Sequence, residues 1–381
     1  MSRRPLVIGG AGCAGLSLAV HLLEAGVDDR PIVLVEPRTR YENDRTWCFW
    51  RLDQHPFEDC VTHSWHRWRV TTPDTDSVAG SRAYPYQHIP ANAFYNFAFE
   101  RLRAASNVEL RLGQRIEESH EYGSGVGVET GDGTIDAELF FDSRPTSCGP
   151  AQLVQHFHGA FVRAEQPVFD PSTVTLMDFS LEGDPSEIRF FYLLPFSPRT
   201  ALVEATYISP QVHPPELYRQ DIDAYLAHRF DLRGHRVVGR ESGVIPMAVV
   251  PPARPGRIVP IGTVAGCARA SSGYAFVAIQ RFSGRLAAAI RRGDPLRTSV
   301  AAWRPQARFL DRVFLSFLAH QPSKAPAMFA NLFGRVPAEN LVRFLADCES
   351  ATDALRVMWA MPKTAFTGEW LRTAVTGRAA A

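Results

Sequence analysis

A chain of 381 residues with 45% hydrophobic side chains is too long for one small core and has the apolar mass for two intertwined domains. Its 41 basic and 40 acidic residues leave a formal charge of +1, too little to draw nucleic acid, and its six cysteines (13, 48, 60, 148, 267 and 348) include no CxxC pair, as expected of reduced cytosolic thiols without structural zinc. With no secretory leader and no run of about 18 apolar residues, a cytoplasmic chain with at most a monotopic membrane contact is expected.

Leu6-Val-Ile8 reads as a strand that feeds Gly10-Ala-Gly12-Cys-Ala-Gly15, and Leu16, Ala19, Val20 and Leu23 then recur at helical spacing. Gly10 permits the tight turn, Gly12 lets a pyrophosphate approach the backbone, and Gly15 lets helix and strand pack closely. The second strand, Ile32–Glu36, ends in a carboxylate about 20 residues past Gly15, where a ribose hydroxyl would meet it. A bound dinucleotide is expected. Residues 38–50 turn from polar to aromatic and read as a loop, placing Arg45 near the cofactor phosphates and Trp47, Phe49 and Trp50 near the reacting end. Residues 61–72 alternate like a strand. His63 and His66, three apart on such a strand, fall on opposite faces, so no metal site is expected.

Phe94, Phe97, Ala98 and Leu102 mark a helix over 91–105, followed by a strand at 108–112, a hairpin around Gly131-Asp-Gly133 and a buried strand from Leu139. From Gln155 the character changes to apolar strands at 173–178, 188–195 and 200–209, with an amphipathic helix over 216–230. At Glu241 the chain is expected to turn back to the first sheet, where 257–262 ends in Gly262-Thr-Val-Ala-Gly266. Ser271-Ser-Gly273-Tyr274 then opens a helix, a second place for phosphate on backbone amides. The fold class expected is α/β: a discontinuous Rossmann-type domain of 1–60, 83–150 and 241–299, a β-rich insert of 61–82 and 151–240, and a helical region of 300–381 rich in phenylalanine.

Asn43-Asp-Arg-Thr-Trp-Cys-Phe-Trp50, Asp142-Ser-Arg144, Asp170–Phe179, Phe191–Phe196, Leu202-Val-Glu-Ala-Thr-Tyr207, Ile245-Pro-Met247 and Gly262–Gly266 with Ser272-Gly-Tyr274, taken in that order, resemble the bacterial lycopene β-cyclases. The likeness runs from about residue 5 to 290 and belongs to the wider hydroxylase-type flavoproteins. It implies an apolar carotenoid substrate, redox-neutral closure of its end groups into β rings, bound reduced FAD, and NAD(P)H needed only to reduce it. FAD would lie on Gly10, Gly12, Gly15, Glu36, Arg45, Gly262, Gly266 and Gly273. Two departures stand out. Ala205 replaces the family's usual second acid, leaving Glu204 alone, and Thr263 stands where hydroxylase-type relatives carry Asp.

The chemistry fits the residues. Protonating a terminal alkene needs an acid that stays neutral in an apolar pocket, and on a strand Leu202, Glu204, Thr206 and Ile208 share one face. Trp47, Phe49 and Trp50 would offer aromatic faces to the resulting cations. The rival on the same scaffold is an FAD-dependent monooxygenase acting on an apolar isoprenoid. A carotenoid cannot arrive through water, so peripheral membrane association through 300–381 is expected. One-end or two-end cyclisation, NADH or NADPH, and oligomeric state stay open.

Overall fold

The computed structural model describes residues 3–145, 153–252, 256–294 and 302–379. Cys148 and the boundaries expected at 150/151 and 299/300 lie outside the described residues.

Five strands form one parallel sheet in the order β18 (Ile258–Pro260), β12 (Leu139–Asp142), β1 (Leu6–Gly9), β2 (Ile32–Glu36) and β8 (Val108–Leu112). Parallel strands covered on both faces must be apolar throughout, and β1 and β2 are buried at every position. Leu6, Ile8, Ile32 and Leu34 face helices α1 (Cys13–Glu24), α2 (Ala91–Ala104) and α4 (Phe276–Arg292). The alternate residues Val7, Val33 and Val35 pack on a three-stranded antiparallel sheet of β9 (Ile116–Tyr122), β10 (Gly125–Thr130) and β11 (Gly133–Ala137).

The second layer is a seven-stranded sheet in the order β17 (His235–Pro246), β13 (Val154–Ala164), β16 (Thr200–Ser209), β15 (Ile188–Ser197), β14 (Thr173–Asp178), β5 (Arg67–Thr72) and β6 (Thr75–Gly80). One face carries Ala201, Val203, Ala205 and Tyr207 of β16 against Tyr218, Ile222 and Tyr225 of helix α3 (Pro215–Phe230). Its other face, with Leu202 and Ile208, packs on α5 (Pro305–His320), α6 (Ala325–Arg335), α7 (Ala338–Leu345) and α8 (Ala351–Ala360), and α9 (Lys363–Ala379) closes the chain.

Two expectations are corrected. Thr46–Trp50 is no loop. As β3 it pairs antiparallel with β7 (Tyr86–Pro90), whose other edge takes β4 (His63–Trp65). Nor does the chain turn back at Glu241, because β17 follows β13 from His235 to Pro246, with one bulge at Val238 and none near Glu241. Ser242-Gly243 resembles a turn in sequence, yet a Cβ on Gly243 would stand 2.7 Å from the Phe157 ring, so the glycine makes room for a cross-strand aromatic.

A buried ion pair ties the C-terminal helices to the loop after β18. Arg269 Nε donates to Asp311 Oδ1 at 3.1 Å, and its Nη1 donates to the carbonyls of Phe344 and Leu345 at 2.7 and 2.6 Å. Ser271 Oγ also donates to Asp311 Oδ1, at 2.7 Å. With Arg269 only 2% exposed, Asp311→Ala strands a cation and is expected to cost about 3–5 kcal/mol, which a denaturant titration of the variant would measure.

Candidate active site

The cradle expected for a dinucleotide lies where β1 meets α1. Gly10 has φ +94°, and a Cβ on Gly15 would lie 1.9 Å from the Gly10 carbonyl oxygen, so the close strand–helix approach demands both glycines. A Cβ on Gly12 would meet only Arg38 Nη2, at 3.9 Å, which leaves open space over the first turn of α1. At the end of β2, Glu36 Oε2 accepts from the Ala11 N–H at 2.7 Å, and Oε1 accepts from the backbone N–H and Nε of Arg38, both at 3.0 Å. Gly262, with φ +70°, brings the later loop onto the same helix end, where its Cβ would stand 2.6 Å from Ala14 Cβ. An added Cβ on Gly266 would meet Val250, and one on Gly273 would meet Ile245 of β17. Open backbone at Gly12, a helix N-terminus and a carboxylate at the ribose position fit an FAD pyrophosphate and ribose.

Across from the cradle, β13 runs between β16 and β17, and Gly159 pairs with Glu204 on one side and with Glu241 on the other. A Cβ there would fall 3.1 Å from Glu204 Cγ and 3.2 Å from Glu241 Cγ, so those two carbons are at most about 6.3 Å apart. The two side chains thus share one face of the sheet, with no Gly159 side chain between them. Both residues are 8% exposed. Burial, then the charge and hydrogen bond of Glu241, push the Glu204 carboxyl well above the usual carboxylate range. Burial also raises Glu241, opposed by its bonds to Glu204 and Thr46 and by the Arg45 charge. Thr46 Oγ1 donates to Glu241 Oε2 at 2.7 Å.

Strand alternation sorts the expected aromatic residues. Thr46, Cys48 and Trp50 of β3 face the carboxyl pair's layer, where the Trp50 ring stacks on Tyr274 (5.4 Å, 15°) and the Trp50 backbone N–H donates to Tyr274 Oη at 3.1 Å. Tyr192, paired across strands with Glu204, shares a hydroxyl hydrogen bond with Tyr86 at 3.0 Å. Burial holds Cys48, Tyr86, Tyr192 and Tyr274 in their neutral forms by raising each. Trp47 and Phe49, expected beside Trp50, point the other way: Trp47 lies 4.7 Å from the Phe94 ring and Phe49 stacks on Phe276 at 4.4 Å. A reading of 38–50 as a loop conceals the period of two that divides these residues.

Arg45, expected at the phosphates, is exposed and donates to the Asp44 carbonyl at 2.6 Å, while Arg38 holds the place against the cradle. Glu204 has the apolar-face position expected of it. It is not alone, however. Ala205 is on the opposite face beneath α3, so a second acid there would point away from Glu204, and the carboxyl beside Glu204 comes from β17. The sequence signal for that pairing is the glycine inside β13, a mark of close approach between neighbours.

A five-stranded parallel sheet of Rossmann type, a mixed sheet forming the second layer and a helical C-terminal region define an FAD-dependent hydroxylase-like α/β fold. The structure superposes on that of the flavin-dependent monooxygenase PieE, solved in complex with FAD and substrate, with a TM-score of 0.65 and 14% identity over 96% of this chain and 72% of that one. The chain belongs to the lycopene cyclase family, whose sequence profile, described as lycopene cyclase protein, matches residues 5–369. It is 25% identical to the lycopene beta-cyclase of Pantoea ananas over 378 residues, 94% of each chain. It is 24% identical over 291 residues to the chloroplastic/chromoplastic lycopene beta cyclase of Capsicum annuum, covering 71% of this chain and 57% of that one, so it spans little more than half of the plant relative.

Proposed function

We propose that the protein is a lycopene β-cyclase that converts acyclic ψ end groups into β rings without net redox change. The observation that carries this reading is Glu204: a carboxyl 8% exposed, held neutral by burial and by a second carboxyl, on a face shared with Leu202 and Ile208. A neutral acid in an apolar site can protonate an alkene that water cannot. Glu204 delivers its proton to C2 of the terminal double bond and leaves a tertiary cation at C1. Attack by the C5=C6 bond closes the ring, and loss of the C6 proton returns a proton to the carboxylate. One proton enters and one leaves, so the product has the mass of the substrate. The stacked Trp50 and Tyr274 and the nearby Tyr86 offer π faces to the cation, and burial keeps water from trapping it.

Gly10, Gly12, Gly15, Glu36 and the Gly262 turn are the residues that would hold FAD. Bound in its reduced form, with NAD(P)H as reductant, it would supply electron density to the cation. Expression in a lycopene-accumulating bacterium tests the proposal by pigment chromatography with mass measurement. Cyclised pigment of unchanged mass is expected, whereas a product heavier by one oxygen would mark a monooxygenase.

Delivery of so apolar a substrate calls for a membrane surface, and α8 and α9 have the composition for one. Trp359 is 74% exposed and Trp370 49%, with Leu355, Met358 and Leu371 beside them in the sequence and also exposed. Arg356, Lys363 and Arg372 add exposed positive charge, while the two carboxylates of this segment, Asp353 and Glu369, are 1% and 3% exposed. Among the described residues no helix is long and apolar enough to cross a membrane. Peripheral docking on anionic lipid follows. Replacing Trp359 and Trp370 together by Ser is expected to weaken binding to anionic liposomes by on the order of 10-fold or more, since each interfacial apolar side chain contributes on the order of 1 kcal/mol. Co-sedimentation equal to that of the native chain would refute it.

A further inference from the structure

We infer that Glu241 is a positioning residue for the acid: it stays the anionic member of a carboxyl pair that shares one proton, so that the proton resides on Glu204, and the missing side chain of Gly159 is what lets the pair form. The inference rests on the reading of Glu204 as the proton donor and extends it to a residue on another strand.

Strands two apart in a sheet are separated by about 9–10 Å, and the residue between them normally fills the gap. Here that residue is Gly159, and any Cβ would press on Glu204 Cγ, Glu241 Cγ and Leu202 Cδ1 at 3.0–3.2 Å. The pair is also asymmetric. Thr46 donates to Glu241, while Tyr192, the cross-strand neighbour of Glu204, bonds to Tyr86 instead. A donor aimed at one carboxylate favours negative charge there, and two negative charges at this separation in a dry site disfavour each other. One proton on Glu204 and one charge on Glu241 is the arrangement that meets both conditions.

This arrangement also shapes the reaction. When the alkene takes the proton, a C2–H bond forms from the C1=C2 electron pair, Glu204 becomes a carboxylate, and two negative charges face the new cation. The repulsion within the pair is relieved when the C6 proton is returned to Glu204, which drives the final step. Glu241 acts throughout on Glu204 and does not touch the reacting carbons.

The groups facing the pair are Thr46 and Cys48 of β3, Tyr86 of β7 and Tyr192 of β15, with Tyr274 behind them against Tyr86 and Cys48, and with Asp44 and Arg45 acting on Glu241 from just before β3. Burial keeps the thiol and the phenols protonated. The test is the pH–rate profile of FAD-loaded, reduced protein, compared between variants so that titration of the flavin is common to all. The native chain should give a bell: the acidic limb is proton loss from the doubly protonated pair, the alkaline limb loss of the last proton from Glu204. Glu241→Gln removes the group behind the acidic limb and the charge that raises Glu204, so the acidic limb should vanish and the alkaline limb move to lower pH. Thr46→Val withdraws the hydrogen bond that favours ionised Glu241, so the acidic limb should move to higher pH, and Thr46→Ser should restore it. A Glu241→Gln bell with both limbs in place would overturn the inference, and if that variant does not fold, an unmoved acidic limb in Thr46→Val would do the same. Infrared titration of the protonated carboxyl without substrate separates the two proposals. Its signal should disappear in Glu204→Gln and titrate at lower pH in Glu241→Gln, whether or not the native chain makes rings; a carboxyl that titrates identically in the native chain and in Glu241→Gln would refute the pairing even if rings form.

Discussion

Replacing Glu204 by Gln is expected to lower cyclisation by on the order of 10²–10⁴, the usual weight of a general acid, with bound flavin unchanged. Gln preserves the volume and keeps a hydrogen-bond donor for Glu241, but its amide cannot give a proton to an alkene. Because Glu204 and the cradle stand on different sheets, the substitution leaves Gly10, Gly12, Gly15 and Glu36 untouched. Turnover of extracted lycopene, measured with the flavin spectrum of the same sample, separates loss of the acid from loss of the cofactor. A variant that cyclised at near-native rate would remove Glu204 from the role.

The second large effect is expected at Gly12. Its φ of −86° and ψ of −164° are open to any residue, and its added Cβ would meet only the end of Arg38, at 3.9 Å. Gly12→Val should therefore fold, yet fill the space a pyrophosphate would take. Gly10 and Gly15 make poorer tests. At Gly10 a side chain meets a φ of +94° and the Ser143 hydroxyl, and at Gly15 it collides with backbone, so either change would disturb the strand–helix turn itself. The expected outcome for Gly12→Val is loss of essentially all flavin absorbance through gel filtration, with an unfolding midpoint like that of the flavin-free native chain. Retained flavin would refute the cradle.

Much of the parallel sheet was legible because its evidence is local. A buried parallel strand is a short apolar run, and the glycines after β1, the Glu36 terminus and the strand before Gly262 announce themselves within a few residues. Glu204 was legible for a similar reason: period-two alternation inside β16 assigns its face without knowledge of the neighbouring strands. What escaped depends on pairing between distant segments. Glu241 becomes the partner of Glu204 only through the register of β13 with both flanking strands, and the absence of a side chain at Gly159 has meaning only once those strands are side by side. The same holds for Ala205, whose substitution looked like the loss of a second carboxylate until its side chain was found beneath α3. Trp47 and Phe49 were misplaced for a different reason. An aromatic run after a polar segment resembles a loop anchored in a core, and the strand that turns these two rings toward Phe94 and Phe276 is formed by pairing with β7.

Acid-initiated ring closure without redox change meets its sharpest test when reduced, FAD-loaded protein, equilibrated in D₂O beforehand, closes a single ring on lycopene, before the proton taken from C6 can be used again. That first ring should carry one deuterium at C2, the product should gain no oxygen, and Glu204→Gln should give no labelled ring. A first ring without deuterium, or a product heavier by oxygen, would refute acid-initiated closure.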